Sequence, residues 1–170
     1  MPTMLQRAEG GMLASACGDA LAVNAEFNAR GSYHITAMGS VIGSFPTGGW
    51  SDDTGLMLCL AKSLIAKKGF DAKDQMQRYV DFYSIGRGWK GDFLLKPGRT
   101  LAFAFRKFEK SGEPYSGSSH PLSAGNGGLM RLLPEVLASH SDETTARQWS
   151  VDATRTTHGA PECLESSELL

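Results

Sequence analysis

Cysteine is scarce in this chain: Cys17, Cys59 and Cys163 are an odd set with no CxxC pair. Cys17 and Cys59 lie in apolar stretches, where a thiol acts as a small hydrophobe, so a reduced, intracellular setting, taken as cytoplasmic, is expected. No run of 18 apolar residues occurs, so no segment reads as a helix that spans a bilayer. The stretch from Gly11 to Val23 is short and apolar enough to suggest a leader, yet Asp19 interrupts it, only Arg7 precedes it, and no cleavage pattern follows. Charge of one sign is missing as well. Lys and Arg total 17 against 18 for Asp and Glu, a net charge of −1, which predicts neither a nucleic-acid partner nor an anionic membrane partner. Hydrophobic residues at 41% and charged residues at 21% exclude long disordered or collagen-like chains. No internal repeat of ~20–50 residues is present.

Glycine is abundant, 20 of 170 residues, and clustered. At this length the chain reads as one domain or a piece of a larger one, and its segments read as helices separated by glycine-rich loops, an all-α class. A first helix, about Gly10 to Phe27, consists largely of Ala and Gly with Leu13 and Leu21; its small side chains predict close approach and a central position. A Gly/Ser/Thr-rich loop from Asn28 to Trp50, with Pro46 and Gly48-Gly49, is long enough to cover a site. Asp52 to Lys68 is the strongest helix, with Ser51, Asp52 and Asp53 as capping candidates and Lys67, Lys68 and Gly69 at its end. Its apolar residues run most of the way round, which predicts burial on several sides. Ala72 to Ile85 reads as a more exposed helix, Gly86 to Gly98 as a loop, Thr100 to Lys110 as an aromatic helix and Ser111 to Gly128 as a second loop. Leu129, Leu132, Leu133, Val136 and Leu137 keep amphipathic spacing, with Pro134 bending the helix or marking its first turn. The sequence ends while Pro161 to Leu170 still reads as helical.

Several constellations carry chemistry. Ser51-Asp52-Asp53-Thr54 places two carboxylates and two hydroxyls in the first turn of the strongest helix. They either cap the helix, or offer oxygen ligands to a hard cation such as Mg²⁺. Successive helical side chains diverge by ~100°, so Asp52 and Asp53 suit two neighbouring ions better than one shared ion. Glu26 is either a solvated helix-end carboxylate or a group that orients water or shuttles a proton. Asp19, seven residues earlier, reads as a buried polar partner rather than a catalyst. Gly125-Asn126-Gly127-Gly128 is either a turn or a loop whose amides converge on a phosphate. His158, at a helix-to-loop junction, either caps or lies at the surface, or contacts a ligand.

In this order, Gly18-Asp19-Ala20-Leu21 with its trailing Glu26, then GGWSDDTGLML, AGNGGLMRLLPE and THGAP resemble the ADP-ribosylglycohydrolase family. The resemblance implies a compact all-α domain of which 1–170 is a single, incomplete unit, apparently truncated at its carboxyl end. It implies a hydrolase with two Mg²⁺ ions that removes ADP-ribose from modified protein side chains or related conjugates. Carried over by position, Ser51, Asp52 and Asp53 are metal ligands. Glu26 and Asp53 are catalytic, Glu26 standing beside the metal-bound water, and Asn126, Gly127, Gly128 and His158 belong to the ADP-ribose cleft. Ser51 replaces the family's usual Thr and keeps the hydroxyl; Gly128 stands where Ser is frequent; Lys96-Pro97-Gly98-Arg99 replaces an Asp-containing segment. The Asp-x-Asp-Thr motif that completes both metal sites in the family does not follow THGAP here. Two other readings follow from that: a non-catalytic relative that binds ADP-ribose or serves a structural role, or a chain completed by a second polypeptide or by self-association.

Overall fold

The computed structural model describes residues 1–23, 25–26, 28–38, 47–84 and 97–170. Seven α-helices occur among them: α1 (Met4–Ala22), α2 (Asp52–Lys67), α3 (Ala72–Ser84), α4 (Arg99–Ser111), α5 (Leu133–Ser139), α6 (Glu143–Arg155) and α7 (Pro161–Glu168). No strand is present among the described residues, only an isolated parallel bridge between Ser118 and His158. The all-α class is therefore as expected. Most of the covering loop's tip (39–46), the segment 85–96 and Phe27 lie outside the described residues.

The core forms where α2, α3 and α4 meet. Leu56, Leu60 and Leu64 from α2 pack with Met76, Tyr79 and Val80 from α3 and with Leu101, Ala104, Phe105 and Phe108 from α4. In each helix the inward residues recur at three- and four-residue steps, the stripe that a 3.6-residue turn places on one face. Gly55 has no room for a side chain, because a Cβ there would run into the Phe82 ring; this lets α2 and α3 approach closely. Burial of α2 is less complete than its composition predicts, since Ile65 is 78% exposed and Leu58 also reaches solvent.

Helix boundaries follow local chemistry. Lys68 takes a left-handed conformation (φ 54°) and closes α2, while Gly112 (φ 72°) closes α4. The 129–137 stretch divides at Leu132 into a 3₁₀ turn, Leu129–Arg131, and α5, with Pro134 in the first turn of α5. Two expectations change. α1 begins six residues early because Thr3 and Gln6 form a reciprocal capping box. It is also peripheral rather than central: Ala20 is its one buried residue, and Leu13 is 68% exposed. Its small side chains approach α2 and α5 but cover little apolar area.

Candidate functional site

The start of α2 is held by a residue from another helix. Asp19, on α1, accepts hydrogen bonds from the Ser51 amide (2.9 Å to Oδ2), the Thr54 amide (3.0 Å) and the Thr54 hydroxyl (2.6 Å). Its carboxylate, half-buried rather than buried, thereby satisfies donors that a helix start leaves orphaned. Ser51 adds the local cap, its Oγ accepting from the Asp53 amide at 3.3 Å and donating to Asp53 Oδ2 at 3.1 Å.

With these amides served, the Asp52 and Asp53 carboxylates are free to face a cleft of about 560 Å³. Tyr83 donates its hydroxyl to Asp52 Oδ2 at 2.7 Å and fixes that side chain from α3. Glu26, exposed in the turn after α1, lines the same cleft. Crowding of negative charge shows in its protonation. Partial desolvation, then the fields of Asp52, Asp53 and Asp19, raise the Glu26 carboxyl above its ordinary range. Burial first, then Asp19 and Asp52, push Asp53 up to about 6.

The other wall of the cleft comes from distant parts of the chain. Asn126, Gly127 and His158 line it, together with Arg99 and Thr100 from the start of α4. His158 is buried, and desolvation, helped by the nearby Arg131 charge, lowers its imidazole to about 4, so it is neutral at physiological pH. Gly127 must be glycine, since a Cβ would stand 2.6 Å from His158 Cε1. Gly128 is placed differently from the cleft position expected of it: it is buried, against the Thr154 side chain, and supports the loop from behind. The glycine loop and the 111–128 segment are strapped to the end of α6 by Ser116 N to Thr156 O at 3.1 Å and Gly159 N to Ser118 O at 3.0 Å.

The fold thus brings Ser51, Asp52, Asp53, Glu26, Asn126, Gly127 and His158 to one cleft. Four further residues were not singled out as site residues by sequence reasoning: Tyr83, which holds Asp52, and Arg99, Thr100 and Met130, which line the cleft. Tyr83 gave no local signal, Met130 lies within the AGNGGLMRLLPE motif without a role of its own, Thr100 is legible only as the start of a helix, and Arg99 only as a change of charge in a segment. The donors of Ser51, Asp52, Asp53 and Glu26 are all hard oxygens, and burial with neighbouring negative charge disfavours the ionised forms of Glu26 and Asp53, a set that fits a divalent cation such as Mg²⁺. Among the described residues, however, no group of three or more His, Cys, Asp or Glu is arranged to enclose a metal, so further ligands are needed. No described helix is long and apolar enough to cross a membrane.

The sequence model named ADP-ribosylglycohydrolase matches residues 1–170. The chain is 29% identical to ADP-ribosylarginine hydrolase Tri1 of Pseudomonas putida (strain GB-1), over 98% of its own length and 45% of that protein. It is 30% identical to ADP-ribosyl-[dinitrogen reductase] glycohydrolase of Rhodospirillum rubrum, over 94% of its own length and 54% of that protein. A solved structure titled ADP-ribosylglycohydrolase-related protein complex superposes with a TM-score of 0.81 at 37% identity, covering 98% of this chain and 54% of that one. The chain spans about half the length of the relatives it matches.

Proposed function

The chain belongs to the ADP-ribosylglycohydrolase family, and from that premise we propose that it carries the ligand cleft and the first acidic cluster of a Mg²⁺-dependent hydrolase. Its substrate is an ADP-ribosylated protein side chain or a related ADP-ribose conjugate, met in the cytoplasm. The observation that carries this reading is the shared cleft: Glu26, Asp52 and Asp53 line one cavity together with Asn126, Gly127 and His158. Relatives named as ADP-ribosylarginine hydrolase and ADP-ribosyl-[dinitrogen reductase] glycohydrolase support the same substrate class.

Ser51, Asp52 and Asp53 would hold the metal, with the remaining ligands supplied from outside this set. When bound, Mg²⁺ neutralises the crowded carboxylates and polarises ligand oxygens. Tyr83 and Ser51 hold Asp52 and Asp53 in fixed orientations, so little reorganisation is needed on binding. Glu26 orients the water that attacks the anomeric carbon and accepts its proton, while the bond from that carbon to the side-chain leaving group breaks through an oxocarbenium-like state; the proton then passes to the departing group. The glycine loop offers backbone donors to the anionic part of the ligand, and His158 borders it as a neutral group.

Release of free ADP-ribose by the purified chain, abolished by chelation and by Asp52→Ala or Glu26→Ala, is the expected result. Wild-type turnover in the double variant rules the mechanism out. A second reading, a binding protein without catalysis, is favoured by the metal set that the described residues leave open. It predicts uptake of ADP-ribose without tight uptake of Mg²⁺ in calorimetry. Supply of the missing ligands by a complementing chain or by self-association predicts that both activity and metal uptake rise on association.

A further inference from the structure

Behind the glycine loop lies a cation that does not itself line the cleft. Arg131, in the 3₁₀ turn, is fully buried, and a buried guanidinium must place its donors on good acceptors. Nη1 donates to the Gly127 carbonyl at 2.6 Å. Nη2 donates to the Ala153 carbonyl at 2.9 Å, to Thr156 Oγ1 at 3.2 Å and to Thr157 Oγ1 at 2.7 Å. The guanidinium carbon stands 4.6 Å from the centroid of the Tyr79 ring, so α3 supports it from the other side. None of the ion pairs among the described residues includes it. Glu135, one turn further on, is pushed up to about 8 by burial and is largely protonated at neutral pH.

Two of these four bonds end on groups that shape the cleft. Gly127 is itself a wall residue. Thr157 Oγ1 is also 2.9 Å from His158 Nδ1. A guanidinium cannot accept, so toward Arg131 the Thr157 oxygen is the acceptor, and its own proton remains to be donated. Nδ1 is the acceptor the described residues place within its reach. A neutral imidazole that accepts at Nδ1 carries its proton on Nε2, the ring edge near Gly125 and Gly127.

We propose that Arg131 is a positioning residue: through the Gly127 carbonyl it fixes the glycine loop, and through Thr157 it fixes His158 in its Nε2–H form. The cleft then meets an oxygen of the ADP-ribose group with a hydrogen-bond donor already aimed. The ligand in this statement rests on the function proposed above; the proton placement does not.

The test uses the full chain with Mg²⁺ present. Thr157→Val keeps the volume and removes the hydroxyl, while Arg131→Lys keeps the charge and loses the fork. Imidazole ¹⁵N NMR of the wild type should show His158 as the Nε2–H tautomer. In either variant that preference is lost, and calorimetry with ADP-ribose gives about tenfold weaker binding, ~1.4 kcal/mol, with unchanged helical circular dichroism. An Nδ1–H tautomer in the wild type overturns the proposal, as does either readout staying at its wild-type value in a folded variant. Should one variant fail to fold, the other decides. If the wild type does not bind ADP-ribose, the functional reading fails, and the tautomer comparison alone then decides the role of Arg131.

Discussion

The two walls of the cleft are built on opposite principles. On the α2 side, neighbouring positions in the sequence supply Ser51, Asp52 and Asp53, and burial, with the like charges of Asp19 and Asp52 added, pushes Asp53 up to about 6. On the other side, Gly127 and His158 come from separate segments and are held from behind by buried Arg131, which donates to the Gly127 carbonyl and to Thr157, the residue bonded to His158. One wall stores unmet demand for positive charge; the other spends its hydrogen bonds on holding shape. Binding energy can be drawn from the first while hydrogen bonds hold the second in shape.

The contrast can be broken at the hinge of the acidic wall. Asp19→Ala strips the acceptor from two amides and a hydroxyl at once, and a loss of roughly 4 kcal/mol is expected from urea unfolding. The paired wall answers to acid. His158 is lowered to about 4 in the fold and returns to its ordinary 6.5 on unfolding, so the unfolded chain binds the extra proton. Its contribution is complete above pH 6.5 and is lost as pH falls toward 4, about 3 kcal/mol in all, readable as a fall in Tm that His158→Gln removes. Gly127→Ala drives a Cβ into the His158 ring; about 2 kcal/mol of destabilisation is expected, with weaker ADP-ribose binding in calorimetry. The smallest effect has the opposite sign. In chelator at pH 8, Asp53→Asn relieves repulsion among carboxylates and should stabilise the chain by about 1 kcal/mol after solvent screening, read by urea unfolding; with Mg²⁺ restored, the same variant should lack the hydrolytic activity of the wild type.

Much of this was legible from local signals. The Ser51 cap and the Lys67-Lys68-Gly69 ending bound α2 to within one residue of its observed limits, because capping chemistry acts over a single turn. The helix α6 was not delimited, since its buried face is Ser150, Ala153 and Thr154, small or polar residues that leave little hydrophobic periodicity. Asp19 could be read as a buried partner, yet its partners stand 32 and 35 positions downstream. Arg131 offered less still. A guanidinium in an amphipathic stretch ordinarily faces water, and only the arrival of residues 153–157 makes its burial possible. The four ordered motifs named the family, and the spatial pairing of its walls required the fold.

The bond network around Asp19 also bears on the order in which the molecule assembles. In the first turn of α2 the Asp53 amide finds a local acceptor in Ser51 Oγ, but the Ser51 and Thr54 amides find theirs only after separations of 32 and 35 residues have been closed, an entropic toll that grows slowly with length. The acidic rim is therefore a product of docking rather than of helix formation. Cleaving the chain between residues 28 and 38 should leave α2 wound and yet dismantle the rim, so that proteolysis there reports on completion of the tertiary structure.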